Sequence, residues 1–279
     1  MKHSFDLGSV QETLLIPLLA RAVETSKDNG FLEDPKAVKI VDELDYDFSK
    51  WRGHSALSGA CLRTCVFDQI TRRFLEAHPE GTIVEIGCGL NTRFERLDNA
   101  KAQWFELDLA DSIELRRRFF DDEPRRTMLA GSVVDSDWMD AVAETGGPTL
   151  FLSEAVLIYL ELEQVKTAVT QIAKRFPGAW FATDTCATKM TTDKAAQRAM
   201  KDYGIRSWFR WPCDDPKSLE SWHPGIELVS SQTMPESSPD LLAKIPWSWR
   251  AMMKVAPWLV RRMTAGYRLN EFRLGSVPN

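Results

Sequence analysis

Apolar positions recur with helical spacing up to about residue 80 and with strand spacing from Thr82 onward. Leu14, Leu15, Leu18, Leu19, Ala22 and Val23 fall on one face of a helix, in which Pro17 starts or kinks a turn. Leu62, Val66, Ile70 and Phe74 recur every four residues and predict a second helix over 56–77. Strands are then expected at 82–86, 103–107, 127–133, 149–153 and 179–183, with helical stretches between them. Asp111 and Glu114 read as a capping box after the second strand, and Val165, Ala168, Val169, Ile172 and Phe176 line the helix before the fifth. Five βα units in succession imply an α/β fold with a doubly wound, mostly parallel sheet and right-handed crossovers. Residues 226–234 and 267–274 alternate as two later strands, one expected antiparallel, which brings the sheet to seven.

The chemistry is expected beyond the carboxyl ends of the strands, where such sheets bind ligands. The first strand ends in Glu85, Ile86, Gly87, Cys88 and Gly89, and a turn that presses its amides against a ligand needs the positive φ and missing Cβ of glycine. Nineteen residues past Gly89, the second strand ends in Asp108, whose carboxylate can accept hydrogen bonds from both hydroxyls of a ribose. The plainer alternative is that the glycines only turn the chain and Asp108 caps a helix. Arg63 borders the apolar stripe of its helix, either as a solvated side chain or as a clamp for a carboxylate.

The expected layout is an N-terminal helical segment over 1–80, an α/β core over 81–234, a helical Trp-rich cap over 235–265 and a last core strand within 266–279. Six of the ten tryptophans fall in the final third, as expected of a lid over an apolar or aromatic ligand. Residues 246–263 mix Trp247, Trp249, Trp258 and Leu259 with Arg250, Lys254, Arg261 and Arg262. That pattern suits either a cap helix or a helix lying on an anionic membrane surface. Residues 234–239 read as a loop.

The formal charge of -5 argues against a nucleic-acid partner. Five cysteines, no signal peptide and no apolar run approaching about 20 residues predict a soluble, cytoplasmic chain without stable membrane insertion. Cys61 and Cys65 lie four apart on a helix, and the histidines at 3, 54, 78 and 223 are scattered, so buried thiols are expected there and no metal.

Three strings in order carry a family resemblance: Glu85 to Arg93 (EIGCGLNTR), Trp104 to Leu109 (WFELDL) and Ser153 to Leu160 (SEAVLIYL). With Thr13 to Ala22 and Asp34-Pro35 they resemble the leucine carboxyl methyltransferase family over roughly residues 10 to 190, most closely its bacterial polyketide O-methyltransferase branch. The resemblance implies a class I, Rossmann-like methyltransferase that uses S-adenosylmethionine. By position, Arg63 is similar to the arginine that holds the cofactor's carboxylate, Gly87 and Gly89 to the turn beside its methionine moiety, and Asp108 to the ribose-binding acid. Ser132 and Val133 stand where an Asp-Leu pair meets the adenine, Ser132 being a departure, and Glu154 matches a cofactor-facing acid. Arg21 matches an arginine after the first helix that faces cofactor or acceptor, or else forms a structural ion pair.

The expected reaction is O-methylation of a small, apolar or aromatic carboxylate, phenol or enol. A carboxylate is already ionised at neutral pH, whereas a phenol needs a base. No catalytic base is assigned, although His223 and Tyr159 are candidates to contact the acceptor. Three alternatives stand beside this reading: a protein carboxyl methyltransferase, a catalytically silent S-adenosylmethionine-binding protein, and an NAD-dependent oxidoreductase. The last lacks the third glycine of its fingerprint, since Thr92 occupies that place. Sequence does not set the oligomeric state.

Overall fold

The computed structural model describes residues 11–51, 55–202, 207–237, 239–245 and 247–275. The expected helical positions 1–10, His3, His54, Pro246 and the last four residues of the expected final strand segment lie outside the described residues.

Strands β1 (Thr82–Ile86), β2 (Gln103–Asp108), β3 (Arg126–Ala130), β4 (Thr149–Ser153), β5 (Ala179–Cys186), β6 (Ile226–Gln232) and β7 (Tyr267–Leu274) form one sheet in the order β3-β2-β1-β4-β5-β7-β6. β7 runs antiparallel to β5 and β6, and the other neighbouring strands are parallel. The chain begins in the middle, winds outward to β3 and returns to β4, so the order reverses between β1 and β4. A crevice opens at the carboxyl ends of the strands at such a reversal.

Both faces of the sheet are covered, which explains why its strands read as nearly continuous apolar runs. Ile83, Trp104, Leu150 and Leu152 pack under α1 (Leu15–Thr25), α2 (Pro35–Glu43) and α3 (Ser55–Ala77) through Leu18, Ile40, Phe67 and Phe74. On this face lie also α4 (Arg93–Leu97) and α5 (Ala110–Arg116), with Phe94, Ile113 and Leu115 in the same core. Val84, Ile86, Phe105, Phe151 and Phe181 point the other way, onto α6 (Trp138–Ala143) and α7 (Leu162–Arg175) through Trp138, Val165, Val169 and Ile172. α8 (Thr188–Thr191) and α9 (Lys194–Asp202) follow β5. α10 (Pro239–Lys244), α11 (Trp247–Val255) and α12 (Pro257–Thr264) lie between β6 and β7.

Several boundaries differ from expectation for reasons that pairing supplies. β3 stops at Ala130, three residues early, because its neighbour β2 ends at the paired Asp108. Residues 131–135 instead turn, with the Gly131 amide on the Asp108 carbonyl at 2.9 Å. β5 runs three residues longer than expected because β7 continues to pair with it as far as Cys186 and Tyr267. The capping box at Asp111 and Glu114 does not form: α5 begins at Ala110, with Leu109 as its N-cap, and Asp111 accepts from the Ser112 amide. The loop expected at 234–239 holds a 3-10 turn over Met234–Glu236, closed by reciprocal bonds between Thr233 and Glu236. Pro17 is the third residue of α1, where its missing N–H leaves no bond unmade. All five thiols are buried and unpaired. Among the described residues no helix is long and apolar enough to cross a membrane.

Candidate active site

A cavity of about 380 Å³ opens at the carboxyl ends of β1, β2 and β4. Its floor is the turn after β1, where Gly87 and Gly89 take φ of 66° and 46°. A Cβ on Gly87 would stand 2.2 Å from Cγ2 of Val156, so glycine is required there by both backbone and space. Two buried guanidiniums hold the turn from behind. Arg116 donates to the carbonyls of Gly89 and Asn91, each at 2.8 Å, and Arg21 donates to that of Leu90 at 2.8 Å. Arg116 is itself anchored on Glu106, and Arg21 on Asp34. With its carbonyls tied back, the turn can present its other side to a ligand. Gly87→Ala is expected to cost about 2 kcal/mol of stability, from the left-handed backbone and the Val156 contact together. Denaturant unfolding measures it, and an unchanged midpoint would contradict the assignment.

Asp108 faces this turn from the end of β2. Its two oxygens accept from the amides of Gly89 and Leu109, both at 2.7 Å, which fixes the carboxylate plane at the cavity wall. Burial pushes its pKa up, against those amide bonds. With the Ser112 side chain also bonding it, the carboxylate keeps limited acceptor capacity, enough to receive a ribose hydroxyl.

The opposite wall is a charge cluster. Arg63 donates to Glu154 at 3.0 Å and to the Tyr267 hydroxyl at 3.2 Å, and its Nε lies 3.9 Å from Asp184. Glu154 also accepts from Thr64 at 2.8 Å and from Arg93 at 2.7 Å. Burial raises the Glu154 pKa, but Arg63 and Arg93 outweigh it and hold the group ionised below the ordinary glutamate value. Beside it, Ala155 adopts φ of 56°, strain of a kind that collects at functional sites, and gives its amide to Asp184 at 2.8 Å. Asp184 has no exposed surface and also accepts from the Tyr267 hydroxyl. Burial, only partly offset by Arg63, pushes its pKa up to about 6.

The cavity thus gathers Arg21, Arg63, Gly87, Gly89, Asp108, Ser132, Val133, Glu154 and Tyr159 from separate parts of the sequence. Of these, Arg21 and Ser132 also bond within the protein. Arg21 is 2% exposed, and its Nε and Nη2 donate to Asp34 and to the Leu90 carbonyl, which is the structural ion pair among the alternatives expected for it. The Ser132 hydroxyl accepts from the Val134 amide at 3.3 Å, within its own turn. His223 is a correction. It precedes β6, whose first residue pairs with Leu274, itself the partner of the first residue of β5, so it lies at the amino end of the sheet and lines no part of the cavity.

Tyr267, Met200 and Phe209 line the cavity with no local mark in the sequence, and Asp184, already expected at the ligand end of the fifth strand, bonds Tyr267 behind it. Tyr267 reaches the site only because β7 is antiparallel. α10 to α12 fill the expected Trp-rich segment, but among the described residues none of 235–265 lines the cavity. The aromatic wall comes from Phe209, whose ring lies tilted against that of Tyr159 with centroids 5.5 Å apart.

The lining fits S-adenosylmethionine in its chemistry: the Gly87 turn leaves room for a ligand to approach the backbone, and the fixed Asp108 carboxylate is the kind of acceptor a ribose requires. Comparison with known proteins agrees. The family model for leucine carboxyl methyltransferase matches residues 15–173. The tetracenomycin polyketide synthesis O-methyltransferase TcmP of Streptomyces glaucescens is 29% identical over 239 residues, 85% of this chain and 87% of that protein. The S-adenosyl-L-methionine-dependent methyltransferase dpfgK of Gibberella zeae is 27% identical over 95% of this chain and 96% of its own. In fold, the chain is similar to a putative methyltransferase from Thermobifida fusca, with a TM-score of 0.56 at 16% identity, covering 92% of this chain and 95% of that one. A DUF574 family protein from Streptomyces avermitilis gives 0.60 at 13% identity, covering 95% and 99%. The chain therefore belongs to the leucine carboxyl methyltransferase family, and it is an S-adenosylmethionine-dependent methyltransferase.

Proposed function

We propose that this enzyme methylates an oxygen of a small, apolar or aromatic acceptor, a carboxylate ahead of a phenol or enol. The observation that carries this reading is the apolar share of the cavity lining: Leu14, Ile16, Ile158, Met200 and Phe209, with the Phe209 ring against that of Tyr159. Such a surface desolvates a flat apolar body and leaves few polar groups to orient its reacting end. The similarity to TcmP, a tetracenomycin polyketide synthesis O-methyltransferase, points the same way.

In this reading Arg63 holds the cofactor's carboxylate, Gly87 and Gly89 its methionine moiety, Asp108 its ribose and Val133 the face of its adenine, with Ser132 at the rim and Glu154 toward the charged sulfur. S-adenosylmethionine supplies an electrophilic methyl group on a cationic sulfur. The protein's own part is to hold an acceptor lone pair in line with it, and positioning of that kind is worth about 7 to 11 kcal/mol. A carboxylate needs nothing more, and Tyr159 offers no base: burial pushes its phenol up to about 12, so it keeps its own proton at neutral pH.

One observation favours the phenol reading. Tyr267 lines the cavity and donates to Asp184, whose pKa near 6 suits a base acting through that hydroxyl. The two readings differ in pH dependence. Asp184 is ionised above about 6, so a phenol acceptor gives turnover that rises through pH 6 and loses that limb in Tyr267→Phe. A carboxylate acceptor gives a flat profile across the same range, and Tyr267→Phe leaves its shape unchanged. The acceptor itself is sought by incubating the enzyme with methyl-labelled donor and an extract of its own cells. Label in a base-labile small-molecule ester supports the carboxylate, label in protein would replace it with a protein carboxyl acceptor, and tight cofactor binding without any transfer would leave a silent binding protein.

A further inference from the structure

α11 and α12 expose large apolar side chains that a chain folded only around its own core would bury. Trp247 is 76% exposed, Val255 84% and Trp258 67%, with Trp249 and Leu259 also exposed. Trp247 and Val255 stand two turns apart on α11, and Trp258 and Leu259 open α12 just past the non-helical joint at Ala256. The segment is anchored from its other side by Leu241, Ile245 and Val260, all buried. Interleaved with the exposed apolar side chains are the exposed cations Arg250, Lys254, Arg261 and Arg262. Residues 241–266 contain five basic side chains and no acidic one, in a chain whose net charge is -5.

We propose that α11 and α12 form a docking face for an anionic lipid surface. Tryptophan bodies with cationic neighbours suit the headgroup boundary, where the ring is half in the acyl region and the charge meets lipid phosphate. Charge also argues against a second copy of the chain as the occupant. A symmetric dimer would press the same patch on itself and set each cationic cluster against its like. Position adds a functional sense, because α12 ends at Thr264, and three residues later Tyr267 enters the cavity at the carboxyl end of β5. The lipid-facing patch and the cavity therefore share one end of the sheet, which suits capture of an apolar acceptor dissolved in a membrane.

The test is cosedimentation of the full chain with vesicles of phosphatidylcholine alone or mixed with phosphatidylglycerol. The chain is expected to pellet with the anionic vesicles, to do so at least tenfold less on phosphatidylcholine alone, and to be released by high salt. Arg261→Ala with Arg262→Ala should lower partitioning roughly 30-fold, and Trp247→Ser with Trp258→Ser at least tenfold, with melting temperatures confirming that both variants fold. Because the salt and lipid dependence of the unaltered chain is read without any variant, a misfolded mutant does not blunt the test. Absence of pelleting on anionic vesicles, or equal pelleting on both kinds, overturns the proposal. So does a dimer in sedimentation velocity that the tryptophan changes dissociate without any vesicle binding, which would give this face to a second copy.

Discussion

Asp108→Ala is expected to weaken S-adenosylmethionine binding more than 100-fold, measured by calorimetric titration, while the melting temperature of the cofactor-free chain falls by only a few degrees. The expected loss is about 3 kcal/mol, because the ligand's hydrogen bond to an ionised acceptor vanishes and such a bond is worth about 1.5 to 3 kcal/mol. Only the ligand's bond is large here. The amides of Gly89 and Leu109 that Asp108 now receives lie at the cavity and can turn to water. Asp108→Asn separates charge from shape: it keeps one acceptor oxygen and should lose less. An unchanged dissociation constant in Asp108→Ala would remove the ribose assignment, and with it the orientation of the cofactor in the cavity.

Arg93→Met is expected to cost about 3 to 5 kcal/mol of folding stability, the range found when one partner of a buried ion pair is deleted. Arg93 is 1% exposed and stands among three carboxylates: Asp68 of α3 at 2.8 Å, Glu154 at 2.7 Å, and Glu85 of β1 in still closer contact. Burial pushes the Glu85 pKa up and Arg93 opposes it, so deleting the cation strands a carboxylate between the sheet and α3. Asp68 suffers less, because Arg96 also binds it and helps hold its pKa at about 2. The sign with pH follows. In the variant the folded pKa of Glu85 rises further above its unfolded value, so the missing stability is partly regained as pH falls and lost again as pH rises through that folded pKa. Adding Glu85→Gln to Arg93→Met should recover 1 to 2 kcal/mol or so by removing the stranded charge. Urea unfolding of the two variants at pH 5 and pH 7 measures both effects; equal stability of Arg93→Met and the parent chain would show that water reaches these groups.

The same cluster explains where reading the chain in one dimension stopped. Glu85 was visible as an acid near the end of an apolar run, as Glu106 inside its strand was not, and a strand that ends in an acid before a glycine turn reads as a ligand site. In the fold they pair in register on the buried face of the sheet and serve as anchors for Arg93, Arg116 and Arg126. Their partners come from 8, 10 and 20 residues away, with no periodic signal to mark them. Arg21 shows the reverse case. Its position matched a known pattern, and in the fold it holds Leu90 from behind. Phe209 and Tyr267 reach the cavity through the return of the chain after β5 and through the direction of β7, neither of which any local pattern records.

The sequence by itself determined the alternation of strands and helices, the seven-stranded α/β class, the glycine bend and Asp108, since these follow from side-chain size and period within a few residues of each other. Only the tertiary structure decided that His223 lies at the wrong end of the sheet, that the cavity takes its aromatic wall from Phe209, and that the tryptophans of α11 and α12 face outward. Those facts depend on strand order and direction. They join positions scores of residues apart, and chain separation of that length leaves no trace in local hydrophobic pattern.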